Sequence, residues 1–207
     1  MLTLGIDVSH FQGNIDWKAL GEAGLIFAIL KAGGSEGGKR YKESMFERNY
    51  QEAKKYGIKL GCYFVNGKQC CTAEQGKQDA IFFSQIIGGK QFEYPVYLDL
   101  EVPSPLTKKG NTDAAIAFCR QMESAGYYVG IYASDISGFK NRLDLNRLTA
   151  FDKWVARYGT NPKYVKSYGM WQWTSSGVVV GIKGRVDMNA AYKDYPTIMV
   201  MKHLNGF

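Results

Sequence analysis

Histidine is scarce in this chain of 207 residues: there are two, His10 and His203, and no Cys-x-x-Cys pair accompanies them. That argues against a structural zinc centre, which needs four closely spaced ligands. The four cysteines, Cys62, Cys70, Cys71 and Cys119, are too few for a disulfide scaffold at this length. Adjacent Cys70 and Cys71 cannot bridge each other without strain. Free thiols fit a chain made and kept in a reducing cytosol, even if it acts elsewhere. No apolar run approaches the roughly 18 residues of a membrane span, so no transmembrane segment is expected. The opening Met1-Leu2-Thr3-Leu4-Gly5-Ile6-Asp7 lacks a basic n-region and an apolar h-region, so either no signal peptide exists or this sequence omits it. Long basic blocks are missing too. The 26 Lys and Arg against 19 Asp and Glu give a net charge of +7, but spread along the chain. This favours an anionic partner or surface over nucleic acid, whose binders concentrate charge on one element. A merely solvated basic surface accounts for the charge equally well.

What is present suits a packed globular unit. Apolar residues make up 45% of the chain and aromatics 14%, enough for a core and incompatible with disorder. At about 150 residues per domain, one domain is expected. A helix–glycine–strand phrase recurs. Glu22-Ala23-Gly24 precedes Leu25–Leu30, Lys55-Tyr56-Gly57 precedes Ile58–Phe64, and Ser124-Ala125-Gly126 precedes Tyr127–Tyr132. Gly88-Gly89 before Tyr94–Leu98 is a looser copy. Glycine just past a helix takes the left-handed conformation without steric cost. One strand, one helix and two loops fill roughly the spacing between these glycines, so they mark successive βα units.

Between them, Met45, Phe46, Asn49, Tyr50 and Ala53 recur at helical steps across residues 44–56, and Asn111-Thr112-Asp113 offers a cap for a helix over 114–124. After residue 150 the pattern changes. Lys153–Tyr158, Gly169–Thr174 and Val186–Asn189 read as short strands with no convincing helix between them. Eight strands, five in βα units and three with loops, suffice to close a TIM-like, parallel-dominated barrel. A doubly wound open sheet is the alternative, disfavoured because the first strand lacks a Gly-rich phosphate loop and late helices are missing. Residues 196–207 are apolar for a linker; they either pack back onto the barrel or begin another module.

Four carboxylates end these strands: Asp7 after Leu4-Gly5-Ile6, Asp99 and Glu101 after Val96-Tyr97-Leu98, and Asp187 after Val186. In a barrel the C-terminal ends of parallel strands share one mouth. Residues 99 and 101 point the same way, and the first and last strands bring Asp7 and Asp187 to them. Crowded carboxylates in a desolvated pocket cannot all ionise comfortably, so at least one should hold a proton near neutral pH. A general acid beside negative charge is what glycosidic cleavage requires. A hard divalent cation held by the same oxygens is a second reading, and a lone strand-end Asp is often only a helix cap.

Tyr63, Tyr132, Tyr158, Trp171 and Trp173 lie on or near strand ends, where flat faces with polar edges can stack on sugars; core filling explains any one of them as well. Gln172 points to the opposite face from its flanking tryptophans. Lys31, closing the second strand, is a substrate hydrogen-bond donor or a partner for one of the carboxylates.

In order along residues 4–192, the chain shows Gly5-Ile6-Asp7-Val8-Ser9 with Gln12, then Ile15-Asp16-Trp17 and Phe46 with Asn49-Tyr50. It continues with Tyr97-Leu98-Asp99-Leu100-Glu101, Gly130-Ile131-Tyr132 and Trp154-Val155-Ala156-Arg157-Tyr158. Trp171-Gln172-Trp173 and Val186-Asp187-Met188-Asn189 complete the set. In this it resembles the family 25 glycoside hydrolases, the Chalaropsis-type lysozymes of bacteria, fungi and phage endolysins. The resemblance implies an α/β, TIM-like (β/α)5β3 barrel over residues 1–195, with 196–207 as a tail or the start of a linker. It implies cleavage of the β-1,4 bond between N-acetylmuramic acid and N-acetylglucosamine in bacterial peptidoglycan. Glu101 would be the general acid and Asp99 the second catalytic carboxylate, with Asp7 and Asp187 completing the acidic floor. Lys31, Tyr63, Tyr132, Arg157, Trp171, Gln172 and Trp173 would bind substrate. No metal or organic cofactor is implied. Anionic wall polymers are further candidate partners, and the protein would be made in the cytosol and act at the bacterial cell wall.

Two segments depart from the family pattern, Tyr63-Phe64-Val65-Asn66 and the loop Asn66-Gly67-Lys68-Gln69-Cys70-Cys71, and both bear on substrate preference. Two other functions fit parts of the pattern. A chitinase-like hydrolase shares Asp-x-Glu, but positions 94–97 read Tyr-Pro-Val-Tyr where the longer acidic series of that group would stand. A non-catalytic wall-binding module could use the same groove, though pure binding has no need of four carboxylates.

Overall fold

Side chains along the strands alternate between two environments, and this period of two builds the molecule. The computed structural model describes residues 2–67, 71–101 and 107–207. Among them, nine strands form one sheet: β1 (Thr3–Val8), β2 (Phe27–Glu36), β3 (Lys39–Lys42), β4 (Lys59–Val65), β5 (Val96–Asp99), β6 (Val129–Ser134), β7 (Asp152–Ala156), β8 (Met170–Gly177) and β9 (Val186–Ala191). Because β1 bonds to both β2 and β9, eight of them close a barrel, and β3 hangs outside the ring as the antiparallel arm of a hairpin on β2. That arm was not anticipated from the sequence.

Ile6, Ala28, Leu30, Leu60, Cys62, Phe64, Val96, Leu98, Ile131 and Val155 face outward into the apolar layer under the helices. The residues between them face inward: Phe27, Ile29, Tyr97, Tyr132, Trp154 and Met170 form a second, aromatic-rich cluster inside the barrel. Gly5 makes room there, since a Cβ at that position would meet the Phe27 carbonyl oxygen at 2.5 Å.

The helices are α1 (Trp17–Glu22), α2 (Phe46–Lys55), α3 (Ala73–Ile87), α4 (Lys108–Ser124) and α5 (Tyr195–Lys202). Gly24, Gly57 and Gly126 all have φ between 73° and 84°, the left-handed turn that the repeated phrase requires. Helix α2 buries Phe46, Asn49 and Ala53, one face of the periodic set.

Several expectations are corrected. Helix α4 starts at Lys108, capped by the Thr107 side chain on the Gly110 amide, and not at 114. The expected cap residues lie inside it, where they make contacts of their own. Thr112 donates to the Lys108 carbonyl, Asn111 to the Arg142 carbonyl, and Asp113 pairs with Arg147. After β6 the fifth unit has no full helix, only short turns over Asp135–Lys140 and Leu145–Leu148.

Strands β1, β2 and β4 to β8 run parallel, but β9 runs antiparallel to both neighbours. Asp187 therefore stands near the start of its strand, and reversal of that strand puts it at the same mouth as the ends of the others. Residues 195–202 form α5, which packs back under the barrel with Tyr195 and Met199 buried. Of the loop 66–71, Lys68, Gln69 and Cys70 lie outside the described residues. No helix among the described residues is long and apolar enough to cross a membrane.

Candidate active site

The inward parity that gives aromatics deep in the barrel gives charged and polar groups at its upper mouth. Above Phe27 and Ile29 the next inward position on β2 is Lys31; above Tyr97 on β5 it is Asp99; above Gly5 on β1 it is Asp7. These line a cleft of about 280 Å³ together with Glu101, Tyr63, Tyr132, Gln172 and Asp187. All four expected carboxylates thus open on one cavity, and so do four of the seven expected binding residues.

Asp7 is 5% exposed, and its Oδ2 accepts hydrogen bonds from Gln172 Nε2 (2.9 Å) and Asn189 Nδ2 (2.8 Å). Burial, followed by the charge of Asp187, lifts its pKa to about 8 even against those two bonds. Asp187 is raised to about 6, by burial and then by the charge of Glu101. Asp99 is 3% exposed, and its Oδ1 is buried without a hydrogen-bond partner among the described residues. Burial first, then Glu101 and Asp7, push its carboxyl well above the ordinary carboxylate range, while Lys31 pulls the other way. Glu101 lies past the end of β5 and is exposed; Tyr132 Oη stands 3.0 Å from its Oε1, and Arg142 donates to its backbone carbonyl at 2.8 Å. The site thus sets three carboxyls that favour keeping their protons beneath the side chain of Glu101, which stands at the surface of the cleft.

The floor is Trp154, whose ring lies 4.4 Å from that of Tyr132, 5.1 Å from Tyr97 and 6.0 Å from Tyr63, centroid to centroid. Lys31 also approaches the buried Glu43 (3.8 Å), whose other contacts include His10 Nδ1 at 2.8 Å. At the rim, Phe11 is 80% exposed, on a short turn held by reciprocal bonds between Ser9 and Gln12.

Arg157, Trp171 and Trp173 do not line the cleft. Arg157 is spent on Asp135 (2.9 Å) and Thr160 (3.0 Å), and Asp135 in turn accepts from the backbone amides of 163–165. Trp171 gives its indole N–H to the Arg157 carbonyl at 2.8 Å. Strand alternation turns Trp171 outward and Gln172, 2% exposed, inward, and β8 is bulged between Gln172 and Thr174, at Trp173.

Sequence reasoning left out Asn189, Trp154 and Phe11 as members of the site. The signal for the first two was the same inward parity, since Asn189 is two residues from Asp187 and Trp154 two from Ala156. Among the described residues, no three His, Cys, Asp or Glu side chains are grouped so as to hold a metal ion.

Comparison with known proteins adds an independent line. The sequence profile described as Glycosyl hydrolases family 25 matches residues 6–182. Lysozyme M1 of Streptomyces globisporus is 31% identical over 200 residues, covering 89% of this chain and 66% of its own length. The chain therefore spans a little under two thirds of that relative. Among solved structures, the CTP1L endolysin superposes with a TM-score of 0.80 at 30% identity, over 97% of this chain and 70% of its own. The modular autolysin LytC from Streptococcus pneumoniae, in complex with a synthetic peptidoglycan ligand, superposes with a TM-score of 0.78 at 26% identity, over 92% of this chain and 47% of its own.

Proposed function

The chain belongs to the family 25 glycosyl hydrolases, and from that premise we propose that it hydrolyses bacterial peptidoglycan at the β-1,4 bond between N-acetylmuramic acid and N-acetylglucosamine. The observation that carries the reading is the convergence of Asp7, Asp99, Glu101 and Asp187 on one cleft. A relative solved with a peptidoglycan ligand supports the choice of substrate.

Glu101 is the general acid. It is the carboxyl nearest the open side, so it reaches the glycosidic oxygen, and its proton passes to that oxygen as the bond to the anomeric carbon breaks. Asp99, buried beneath, carries an oxygen with no protein hydrogen bond among the described residues. That oxygen is placed to take the N–H of the substrate's 2-acetamido group and to orient the group beside the anomeric carbon. As positive charge develops there, the carboxyl oxygens of Asp99, Asp7 and Asp187 stabilise it, Asp187 ionising more readily than Asp7 or Asp99. Trp154 and the tyrosines exclude water from beneath the sugar, and Lys31 moderates the negative field. The net charge of +7 favours approach to a wall bearing anionic polymers.

The test is digestion of purified peptidoglycan, scoring new reducing ends and identifying the sugar at them, with Glu101→Gln as control. New N-acetylmuramic acid ends that vanish in the variant are expected. Sedimentation with the wall and no new ends would make this a binding module instead.

A further inference from the structure

The hydroxyl of Tyr132 has two acceptors within reach and one proton to give. Its Oη lies 2.8 Å from Gln172 Oε1 and 3.0 Å from Glu101 Oε1. Gln172 turns its amide oxygen to that phenol and its Nε2 to Asp7. Trp154 Nε1–H donates to Asn189 Oδ1 at 2.8 Å, so Asn189 presents its NH2 to Asp7 Oδ2. Gln172 Nε2 donates to the same oxygen, which leaves Gln172 Oε1 for the phenols of Tyr132 and Tyr158, the latter at 3.0 Å.

We propose that Tyr132 and Gln172 form a two-position hydroxyl switch that keeps the Glu101 carboxyl hydrogen-bonded both with and without its proton. While Glu101 is protonated, its O–H donates to Tyr132 Oη, and the Tyr132 hydrogen points to Gln172 Oε1. When the proton leaves for the glycosidic oxygen, and the electron pair of the broken bond goes to that oxygen, the Tyr132 hydrogen turns to the new carboxylate. Gln172 Oε1 then keeps its bond from Tyr158, so no buried acceptor is orphaned in either state. Nothing moves but one hydroxyl hydrogen. Gln172 is on this account a positioning residue: it holds the acceptor that lets the acid form of Glu101 exist, without touching the reacting atoms. Tyr132 acts on the same equilibrium from the other side.

Other groups also face Glu101. Asp99 from β5, Asp7 from β1 and Asp187 from β9 bring carboxyls, and Lys31 from β2 and Arg142 bring positive charge. The phenols of Tyr63 and Tyr158 complete the surround. None of these offers the paired donor and acceptor that Tyr132 and Gln172 supply together.

The proposal rests on Glu101 being the proton donor, and the experiment separates the two. The pH dependence of kcat/KM is measured on soluble peptidoglycan strands for the unaltered protein, Gln172→Met, Tyr132→Phe and Glu101→Gln, with a melting curve for each. Gln172→Met removes the competing acceptor, so Tyr132 donates permanently to the carboxylate, and the alkaline limb should move to lower pH. Tyr132→Phe removes the donor to the carboxylate, and the limb should move to higher pH. A hydrogen bond to a charged group corresponds to a displacement of about one to two pH units in each case. A merely structural role lowers activity or melting temperature without moving the limbs apart. An alkaline limb that stays in place in Tyr132→Phe overturns the switch even if Gln172→Met fails to fold, as do limbs that move together. Near-full activity of Glu101→Gln would overturn the functional reading itself, and that result is distinct from the others.

Discussion

Asp7 and Asp187 are direct cross-strand partners in the antiparallel β1–β9 pair, two carboxylates set opposite each other where the barrel closes. Like charges in that position oppose folding. Both carboxyls bind protons more tightly in the folded chain than in the unfolded one, with burial the first cause for each: Asp7 has a pKa of about 8, the charge of Asp187 adding to burial, and Asp187 one of about 6, the charge of Glu101 adding to burial. Carboxyls with raised pKa values favour the native state in acid. Their contribution is fully present below the ordinary carboxylate value near 4 and is lost as pH rises through about 6 and then about 8.

Asp187→Asn should accordingly stabilise the protein under alkaline conditions. The expected gain at pH 8 is about 0.5–1 kcal/mol, the size of a removed like-charge cross-strand pair, falling towards zero near pH 4. Denaturant titrations of both proteins at the two pH values check this. Equal stability at pH 8 would show that the pair shares a proton too well to matter.

Glu101→Gln should keep the fold and lose about 10²- to 10⁴-fold in kcat, the range that a general acid supplies. Asp16→Asn is the matched control. Asp16 caps α1 by accepting from the Ala19 amide at 3.0 Å, far from the chemistry, and Asn caps equally well. Its activity and melting temperature should stay within error of the unaltered protein, measured in the same assay of new reducing ends.

The inward carboxylates were legible in the sequence because acids at the ends of apolar runs are rare and the period of two holds along β1 and β5. The same rule applied to Trp171-Gln172 turns Gln172 in and Trp171 out, yet aromatic character had made both Trp171 and Trp173 candidates. Arg157 was unreadable for another reason: its partner Asp135 sits in a turn where a full helix was expected, and nothing local marks that pairing. The antiparallel direction of β9 also left no local trace, because Val186–Asn189 reads alike in either direction. Asn111-Thr112-Asp113 misled as a cap because its polar side chains are occupied by contacts with residues around 108, 142 and 147.

Asp99→Asn should be damaging without being destabilising. Asn removes a carboxyl that is costly to ionise where it is buried, so the melting temperature at pH 7 should hold or rise. The hydrogen-bond acceptor for an acetamido N–H survives in part, but the carboxyl able to give up its proton as positive charge develops does not, and kcat should fall about 100-fold or more. Melting curves and initial rates on the same preparation separate the two effects. Loss of activity together with a lower melting temperature would mean that Asp99 is chiefly a structural group.

The end of the chain makes a prediction about stability that the cleft does not. Asn205, fully buried and at φ 56°, stitches α5 to the lower rim of the barrel. Its Nδ2 donates to the Tyr94 carbonyl at 2.9 Å, its Oδ1 accepts from the Tyr128 amide at 2.8 Å, and its own backbone bonds to Gly126 and Phe92. Asn tolerates the left-handed conformation better than most residues, so one side chain meets both demands. Asn205→Ala leaves a buried carbonyl and a buried amide without partners, and each such loss costs about 1–3 kcal/mol. The expected result is a loss of about 2–6 kcal/mol on the same basis, with kcat unchanged while the protein remains folded. A neutral substitution would mean that α5 rests against the barrel without securing it; the expected loss would make residues 195–207 part of the folded barrel unit.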